Sequence, residues 1–167
     1  MNRKSRFEKL LEPSQIGKVP TRNRMVKTAA GMSYVVGSER CLSFYEALAK
    51  GGIGLIMVET TGVDYPLGVF SPWQLHFEDD KYIHSFSKLI NAIHKHGCPA
   101  FVSLFHAGAW HSSFTGLQPV SSSAMTESEL PPGLFKIPPR GLTIAEIEEI
   151  VSKFVSAAER AQKAGFD

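Results

Sequence analysis

Cysteine is scarce in this chain of 167 residues, where it occurs only at Cys41 and Cys98. The two thiols are far apart in the sequence, and neither belongs to a C-x-x-C pair. The sequence therefore indicates neither a disulfide framework nor a zinc site, and we expect no metal centre. Isolated thiols are typical of proteins from a reducing compartment, so we expect a cytoplasmic setting.

An excess of charge of one sign is also missing. Lysine and arginine number 18 against 16 aspartates and glutamates, which leaves a net charge of +2. This balance, without a basic run interleaved with aromatic residues, argues against a nucleic-acid partner. No apolar stretch reaches the roughly 20 residues that a membrane helix needs, so we expect no membrane partner. The hydrophobic fraction of 43% is typical of a globular domain.

Glycine-rich nucleotide loops are absent as well. Neither G-x-G-x-x-G after the first predicted strand nor a Walker loop occurs anywhere in the chain. The sequence does contain apolar runs of strand length, and one of them, at residues 53–60, is nearly all apolar. Such a run suits a strand buried on both faces of a parallel sheet. Strands are predicted at residues 25–30, 53–60 and 98–108.

Amphipathic segments separate these strands. Helices are predicted at residues 38–52, 78–97 and 142–165. In the last of them Thr143 and Glu146 form a T-x-x-E capping box, which marks a helix start. Its predicted core-facing residues are Ile147, Ile150, Val151, Phe154 and Ala158. Residues 1–22 are predicted to form an irregular or hairpin lead-in, and residues 107–141 a long polar loop, within one domain that spans residues 1–167.

Strand and helix therefore alternate three times, and a fourth strand is predicted to begin at residues 166–167. This order is typical of an α/β protein with a parallel sheet, helices outside, and its chemistry at the carboxyl ends of the strands. Three or four such units make half of an eight-fold barrel or most of an open doubly wound sheet. Because the nucleotide loops are missing, the sequence favours the barrel.

The end of the first predicted strand is unusually bare of side chains. The stretch Thr28, Ala29, Ala30 and Gly31 carries four small residues in a row. Exposed backbone at the carboxyl end of a strand allows a flat or large ligand to approach closely. The alternative is a tight strand end without a ligand, and the residues alone leave both open.

Several longer segments carry a resemblance to a known family. They are "LLEPSQIGKVPTRNRMVKTAAGM", "YEALAKGGIGLIMVETTGV", "HFEDDKYIHSFSKLINAIHKHGCPAFVSLFHAG" and "LTIAEIEEIVSKFVSAAERAQKAGFD". In this order they resemble the amino-terminal half of the old yellow enzyme family. The likeness is strongest to the bacterial branch with 2,4-dienoyl-CoA reductase and the bile-acid enoate reductases. It covers the chain except the loop around residues 111–139.

The resemblance implies a (β/α)8 TIM barrel with FMN at its carboxyl face, of which this chain is the first three to four β/α units. It implies that the backbone of Thr28, Ala29, Ala30 and Gly31 approaches the isoalloxazine ring. Thr60 stands where the family has a small residue, often alanine, beside the flavin; its hydroxyl bonds the ring or caps the strand. Ser103 departs from the family's usual glutamine and needs a water molecule to reach the ring.

The resemblance also implies residues near a substrate. Met32 and Tyr34 would lie at the substrate face of the ring, although both suit ordinary loop anchors. His106 stands in the H-A-G motif near the mouth of the barrel, with a structural role as the alternative. Many relatives have arginine where this chain has Ala109 followed by Trp110. One branch has a redox-active cysteine at the position of Gly31. The acidic residues Glu59, Asp64, Glu127 and Glu129 have no partner that the sequence identifies.

The implied activity is reduction of the C=C bond of an α,β-unsaturated carbonyl or of an enoyl or dienoyl thioester, with NADH or NADPH as donor. The family's catalytic residues would lie beyond Asp167, as would any iron–sulfur cluster. We therefore expect a fragment that is inactive alone and that self-associates through open barrel edges. The alternatives are a non-catalytic half-barrel without flavin, and a lyase or isomerase barrel for which Lys27 is the one candidate residue.

Overall fold

The structure is a computed structural model that describes residues 7–111, 115–130 and 137–167. Its helices and strands follow in chain order as α1 (Glu8–Leu11), β1 (Ser14–Ile16), β2 (Val19–Thr21), β3 (Val26–Lys27), α2 (Glu39–Lys50), β4 (Leu55–Gly62), α3 (Ile83–His94), β5 (Ala100–Phe105), β6 (Val120–Ser121), β7 (Arg140–Gly141) and α4 (Ile144–Ala164). The three long helices that the sequence predicts are confirmed. None of the helices in the described residues is long and apolar enough to cross a membrane.

Three parallel strands form the central sheet in the order β3-β4-β5. Val26 pairs with Leu55, and Ile56 pairs with Ala100. Helix α2 connects β3 to β4, and α3 connects β4 to β5. The antiparallel pair β1-β2 precedes this sheet, and the short parallel pair β6-β7 lies within the long segment after β5. The described part of the chain is thus a partial (β/α) barrel that does not close on itself.

The first strand is shorter than the sequence predicts. The predicted strand covers residues 25–30, but only Val26 and Lys27 pair with β4. The backbone N–H of Ala30 donates to the carbonyl of Thr28 at 2.8 Å, so the chain makes a tight turn. Lys27 Nζ donates to the Ala30 carbonyl at 3.1 Å and holds this turn. The pairing with β4 therefore ends before this turn.

Two segments that carry the family resemblance meet at the start of the sheet. The Asn23 side-chain amide donates to the Gly52 carbonyl at 2.7 Å, and its Oδ1 accepts the N–H of Met25 at 3.0 Å. A Cβ at Gly54 would lie 2.3 Å from the Asn23 carbonyl oxygen. Glycine is therefore required where β3 and β4 approach each other.

The core lies between the sheet and its helices. The Phe77 and Phe86 rings stack with centroids 4.1 Å apart, and Tyr45 is fully buried in the same core cluster. Both cysteines are buried free thiols. Burial raises the pKa of Cys41 to about 11 and that of Cys98 above its ordinary value.

Helix α4 begins and ends as predicted but packs differently. The Thr143 hydroxyl accepts the N–H of Glu146 at 3.3 Å, while Glu146 Oε2 accepts the N–H of Thr143 at 2.8 Å. Gly165 ends the helix at φ 98°. Its buried residues are Ala157, Ala161 and Ala164. The prediction that Ile147, Val151 and Ala158 face the core is wrong, because these residues are exposed.

The last two residues lie beside β5. The N–H of Asp167 donates to the Ala100 carbonyl at 3.0 Å, and the N–H of Ala100 donates to Asp167 Oδ2 at 2.8 Å. His94 Nε2 lies 2.8 Å from the same oxygen. Residues 166–167 thus lie at the edge of the sheet where the sequence predicts a fourth strand to begin.

Candidate functional site

The carboxyl ends of the three parallel strands form one edge of the sheet. Thr60 on β4 is the register partner of Ser103 on β5. An irregularity between Val58 and Thr60 leaves Glu59 as the extra residue of a bulge. The turn at Thr28–Gly31 follows β3 at the same edge, because parallel strands end on the same side.

This edge is accessible, and the side chains along it are small. Thr28, Ala30 and Gly31 are exposed, whereas Ala29, Thr60 and Ser103 are half-buried. The hydroxyls of Thr60 and Ser103 make no hydrogen bond to another described residue. A Cβ at Gly31 would meet only Glu59 Oε2, at the ordinary contact distance of 3.5 Å. The edge therefore offers bare backbone and two hydroxyls, which fits a flat ligand with polar atoms along its edge.

Glu59 is the residue of this region that the sequence did not assign. It is 1% exposed, although it carries a carboxylate. Its Oε2 accepts the backbone N–H of Met32 at 2.6 Å and of Ser33 at 3.1 Å. The Tyr45 hydroxyl donates to Oε1 at 3.2 Å. The available signal was a single acidic residue in the apolar run "IGLIMVET"; its partners are distant in sequence and could not be read from it.

The Glu59 carboxylate also influences its neighbours. Burial, and after it the charge of Glu59, raises the pKa of Tyr45 far above its ordinary range. Burial lowers the pKa of Lys27, and the Glu59 carboxylate partly counteracts this effect. Lys27 Nζ lies 5.2 Å from the centroid of the Tyr45 ring. Because the Lys27 amine also bonds the Ala30 carbonyl, its contacts are those of a structural residue and give no support to a lysine-based lyase or isomerase.

Met32 and Tyr34 lie on the loop that follows the turn. Both are half-buried, and Ser33 between them adopts a positive φ of 55°. The Tyr34 ring packs edge-on against Phe44 on α2, with centroids 5.7 Å apart. The Arg40 guanidinium lies 4.6 Å from the centroid of the same ring. These contacts anchor Tyr34 to α2, as the alternative interpretation expects, and its substrate role stays a prediction.

His106 faces the interior of the adjoining loops. Its side chain is 8% exposed. Nδ1 accepts the N–H of Gly108 at 3.0 Å. Nε2 lies 3.5 Å from Asp64 Oδ2, which is too long for a well-formed hydrogen bond. Lys153 Nζ on α4 contacts the other Asp64 oxygen at 3.1 Å. The contacts favour a structural role for His106, whereas the predicted contact with a substrate is untested.

A metal centre has no support in the part of the chain that the structure describes. No group of three or more histidine, cysteine, aspartate or glutamate side chains could hold an ion there. Glu127 and Glu129 are exposed in the segment between β6 and β7, where Glu129 Oε2 accepts the N–H of Thr126 at 2.7 Å and the Thr126 hydroxyl at 2.8 Å. Residues 112–114 and 131–136 of the predicted loop lie outside the described residues.

Known proteins match this chain along most of its length. The sequence profile of the NADH:flavin oxidoreductase / NADH oxidase family matches residues 9–167. The NADH oxidase of Thermoanaerobacter brockii is 41% identical over 167 residues, a match that covers 96% of this chain and 25% of that protein. The NADPH dehydrogenase of Geobacillus thermodenitrificans is 39% identical over 123 residues, which covers 74% of this chain and 34% of that protein.

Solved structures give the same result for the fold. The old yellow enzyme homologue from Zymomonas mobilis superposes with a TM-score of 0.81 at 26% identity. The match covers 95% of this chain and 46% of that one. Three βα units with an accessible carboxyl edge are thus part of a TIM barrel of the old yellow enzyme type. The chain belongs to the NADH:flavin oxidoreductase / NADH oxidase family. It spans about a quarter of the length of the NADH oxidase and about a third of that of the NADPH dehydrogenase.

Proposed function

We propose that this chain is the flavin-contacting first part of an FMN-dependent oxidoreductase. The complete enzyme would use NADH or NADPH to reduce the C=C bond of an α,β-unsaturated carbonyl or of an enoyl or dienoyl thioester. The observation that carries the proposal is the accessible backbone of Thr28–Gly31 beside the Thr60 and Ser103 hydroxyls. The family match over residues 9–167 supports FMN as the ligand of this edge.

Different groups at this edge make different contacts with the flavin in this proposal. The backbone of Thr28–Gly31 accepts the flat ring closely because no large side chain stands in the way. The hydroxyls of Thr60 and Ser103 bond polar atoms of the ring, Ser103 through a water molecule. When it is bound, FMN supplies the capacity to accept and return a hydride.

Substrate contacts come from the neighbouring loops in this proposal. Met32 and Tyr34 supply an apolar and aromatic surface that suits an acyl chain, and His106 follows β5 at the same end of the sheet. The proposal assigns no catalytic acid and no iron–sulfur ligand to residues 1–167. We retain the cytoplasmic setting as part of the proposal, because two buried free thiols need no oxidising compartment.

A visible absorption spectrum of the purified chain, before and after addition of FMN, tests the proposal. We expect flavin absorption to remain with the protein after gel filtration. Ala30→Leu places a larger side chain on the exposed edge and should weaken FMN binding by about tenfold or more. Ala47→Leu, on the exposed side of α2, is the matched control and should leave binding unchanged.

A chain that stays colourless would contradict flavin binding by these residues and favour the non-catalytic half-barrel. The substrate class is tested on the complete enzyme, because no catalytic acid is assigned to residues 1–167; NADH and NADPH are added to it separately under anaerobic conditions. Loss of flavin absorption with either donor, and its return on addition of an enoyl thioester, is the expected result. Return with oxygen alone, and not with the thioester, would overturn the proposed substrate class.

A further inference from the structure

We propose that Glu59 is a positioning residue that fixes the turn and loop at residues 28–34 before the flavin binds, without touching the flavin itself. This inference rests on the proposed function of the edge. The inference goes beyond that function because it assigns the conformation of the loop at this edge to a buried carboxylate, Glu59.

The hydrogen bonds of Glu59 are directed at the loop rather than at solvent. Oε2 accepts two consecutive backbone N–H groups, from Met32 at 2.6 Å and from Ser33 at 3.1 Å. Oε1 accepts the Tyr45 hydroxyl at 3.2 Å, and that hydroxyl accepts the N–H of Glu59 at 3.3 Å. Every partner of the carboxylate is a donor, so both oxygens act as acceptors.

Packing alone does not explain an acidic residue at this position. Burial of a carboxylate is unfavourable unless hydrogen bonds replace the water that it loses. An aliphatic residue would fill the same space on β4 without this requirement. The backbone of Ser33 at φ 55° is a conformation that residues other than glycine rarely adopt. The Glu59 bond to the Ser33 N–H stabilises that conformation directly.

The turn is held on both sides of Gly31. On one side Lys27 Nζ bonds the Ala30 carbonyl at 3.1 Å. On the other side Glu59 bonds the N–H groups of Met32 and Ser33. The backbone between these two attachments is exposed. A loop fixed in this way before binding loses less conformational freedom when a ligand arrives, which favours affinity.

Glu59→Leu and Glu59→Gln are compared in the test. Leucine fills the space but cannot accept a hydrogen bond, whereas glutamine keeps an oxygen that can accept the two backbone N–H groups. Tyr45→Phe is the matched control, because it removes the contact to Oε1 and leaves the loop contacts intact. Amide hydrogen exchange at Met32 and Ser33 is measured without flavin, and the dissociation constant of FMN is measured by quenching of flavin fluorescence.

In Glu59→Leu we expect exchange at Met32 and Ser33 to accelerate by about tenfold or more, and the FMN dissociation constant to rise by a similar factor. Exchange at the core amides of Ile56 and Leu89 should not change, which separates a local effect from general destabilisation. Glu59→Gln and Tyr45→Phe should stay within about threefold of the unmodified chain in both readouts.

Unchanged exchange at Met32 and Ser33 in Glu59→Leu would overturn the inference. It would also fail if exchange accelerated while FMN binding stayed as tight as in the unmodified chain. Failure of the unmodified chain to bind FMN would overturn the proposed function and, with it, the flavin part of the inference. In that case the exchange measurement alone would decide whether Glu59 fixes the loop.

Discussion

Asp64 connects three parts of the molecule that are distant in sequence. It lies just after β4, and its carboxylate is 3.5 Å from His106 Nε2 after β5 and 3.1 Å from Lys153 Nζ on α4. Lys153 also contacts Glu149 at 2.9 Å. The His106 ring lowers the pKa of Asp64 most strongly, burial raises it, and Lys153 lowers it further, so that the net effect is a lowered pKa. The ionised form of this half-buried side chain therefore stabilises the folded chain relative to the unfolded one.

We predict that Asp64→Asn lowers the free energy of unfolding by about 1–3 kcal/mol at neutral pH, because a charge-assisted contact is lost. The pKa of Asp64 is below 3.8 in the folded chain. The stabilisation that the ionised Asp64 side chain provides is therefore fully present above pH 3.8. It is lost as the pH falls through the lower pKa of Asp64 in the folded chain. Urea unfolding of both proteins, measured from about pH 7 to about pH 2.5, should show a constant difference that shrinks at acid pH.

The control for this experiment is Glu148→Gln, a change of the same kind at an exposed position of α4. It should alter the free energy of unfolding by less than about 0.5 kcal/mol. A difference between Asp64→Asn and the unmodified chain that persists unchanged at the lowest pH would contradict the assignment of the effect to the Asp64 charge.

Glu59 illustrates the limit of sequence reasoning at the residue scale. The sequence reveals an acidic residue within an apolar run, but its partners come from a loop some 27 residues earlier and from α2. A bond between such distant residues depends on the fold and leaves no local pattern. By contrast, the bare backbone at Thr28–Gly31 could be found from four small residues in a row, because side-chain size is a local property.

At the scale of single elements, helices were predicted better than strand pairing. The capping box of α4 and the glycine that ends it are local signals, and both appear in the structure. The length of β3 was not predictable from the sequence, because it depends on how many of its residues pair with β4. The sequence shows the apolar stripe of α4, which includes Ile147, Val151 and Val155. It does not show which part of this stripe other elements would cover. The buried residues of the helix, Ala157, Ala161 and Ala164, all lie in its carboxyl-terminal half.

We predict that Thr143→Ala destabilises the chain by about 1 kcal/mol, because the first turn of α4 loses its side-chain cap. Thermal unfolding followed by circular dichroism measures the effect. Thr126→Ala is a matched control, since Thr126 forms the same type of capping box on the three-residue 3-10 helix Glu127–Glu129. That turn lies in an exposed segment, so its loss should not shift the melting temperature. Equal shifts in the two variants would contradict the assignment of the effect to α4.

At the scale of the whole molecule, the described residues leave one side of the barrel open. Among the described strands, β5 pairs only with β4. A cavity of about 670 Å³ lies along this open side, lined by Met57, Phe101, Leu104, Val155 and Phe166 among others. Val151 and Val155 on α4 are 57% and 54% exposed. An open strand edge beside exposed apolar side chains favours association with another chain.

We predict that the purified chain self-associates through this side, with a second copy covering the edge of β5 and the stripe on α4. Sedimentation equilibrium between about 1 µM and about 1 mM should show the average mass rising with concentration. The double variant Val151→Lys, Val155→Lys places two charges on the stripe and should raise the dissociation constant of the dimer by about tenfold or more. Glu127→Lys, at an exposed position between β6 and β7, changes the net charge by the same amount without altering α4 and is the control for charge alone. A chain that stays monomeric over the whole range would show that the open side is tolerated in water. Equal weakening by the double variant and by Glu127→Lys would instead indicate that general repulsion, rather than contact with the stripe, governs the association.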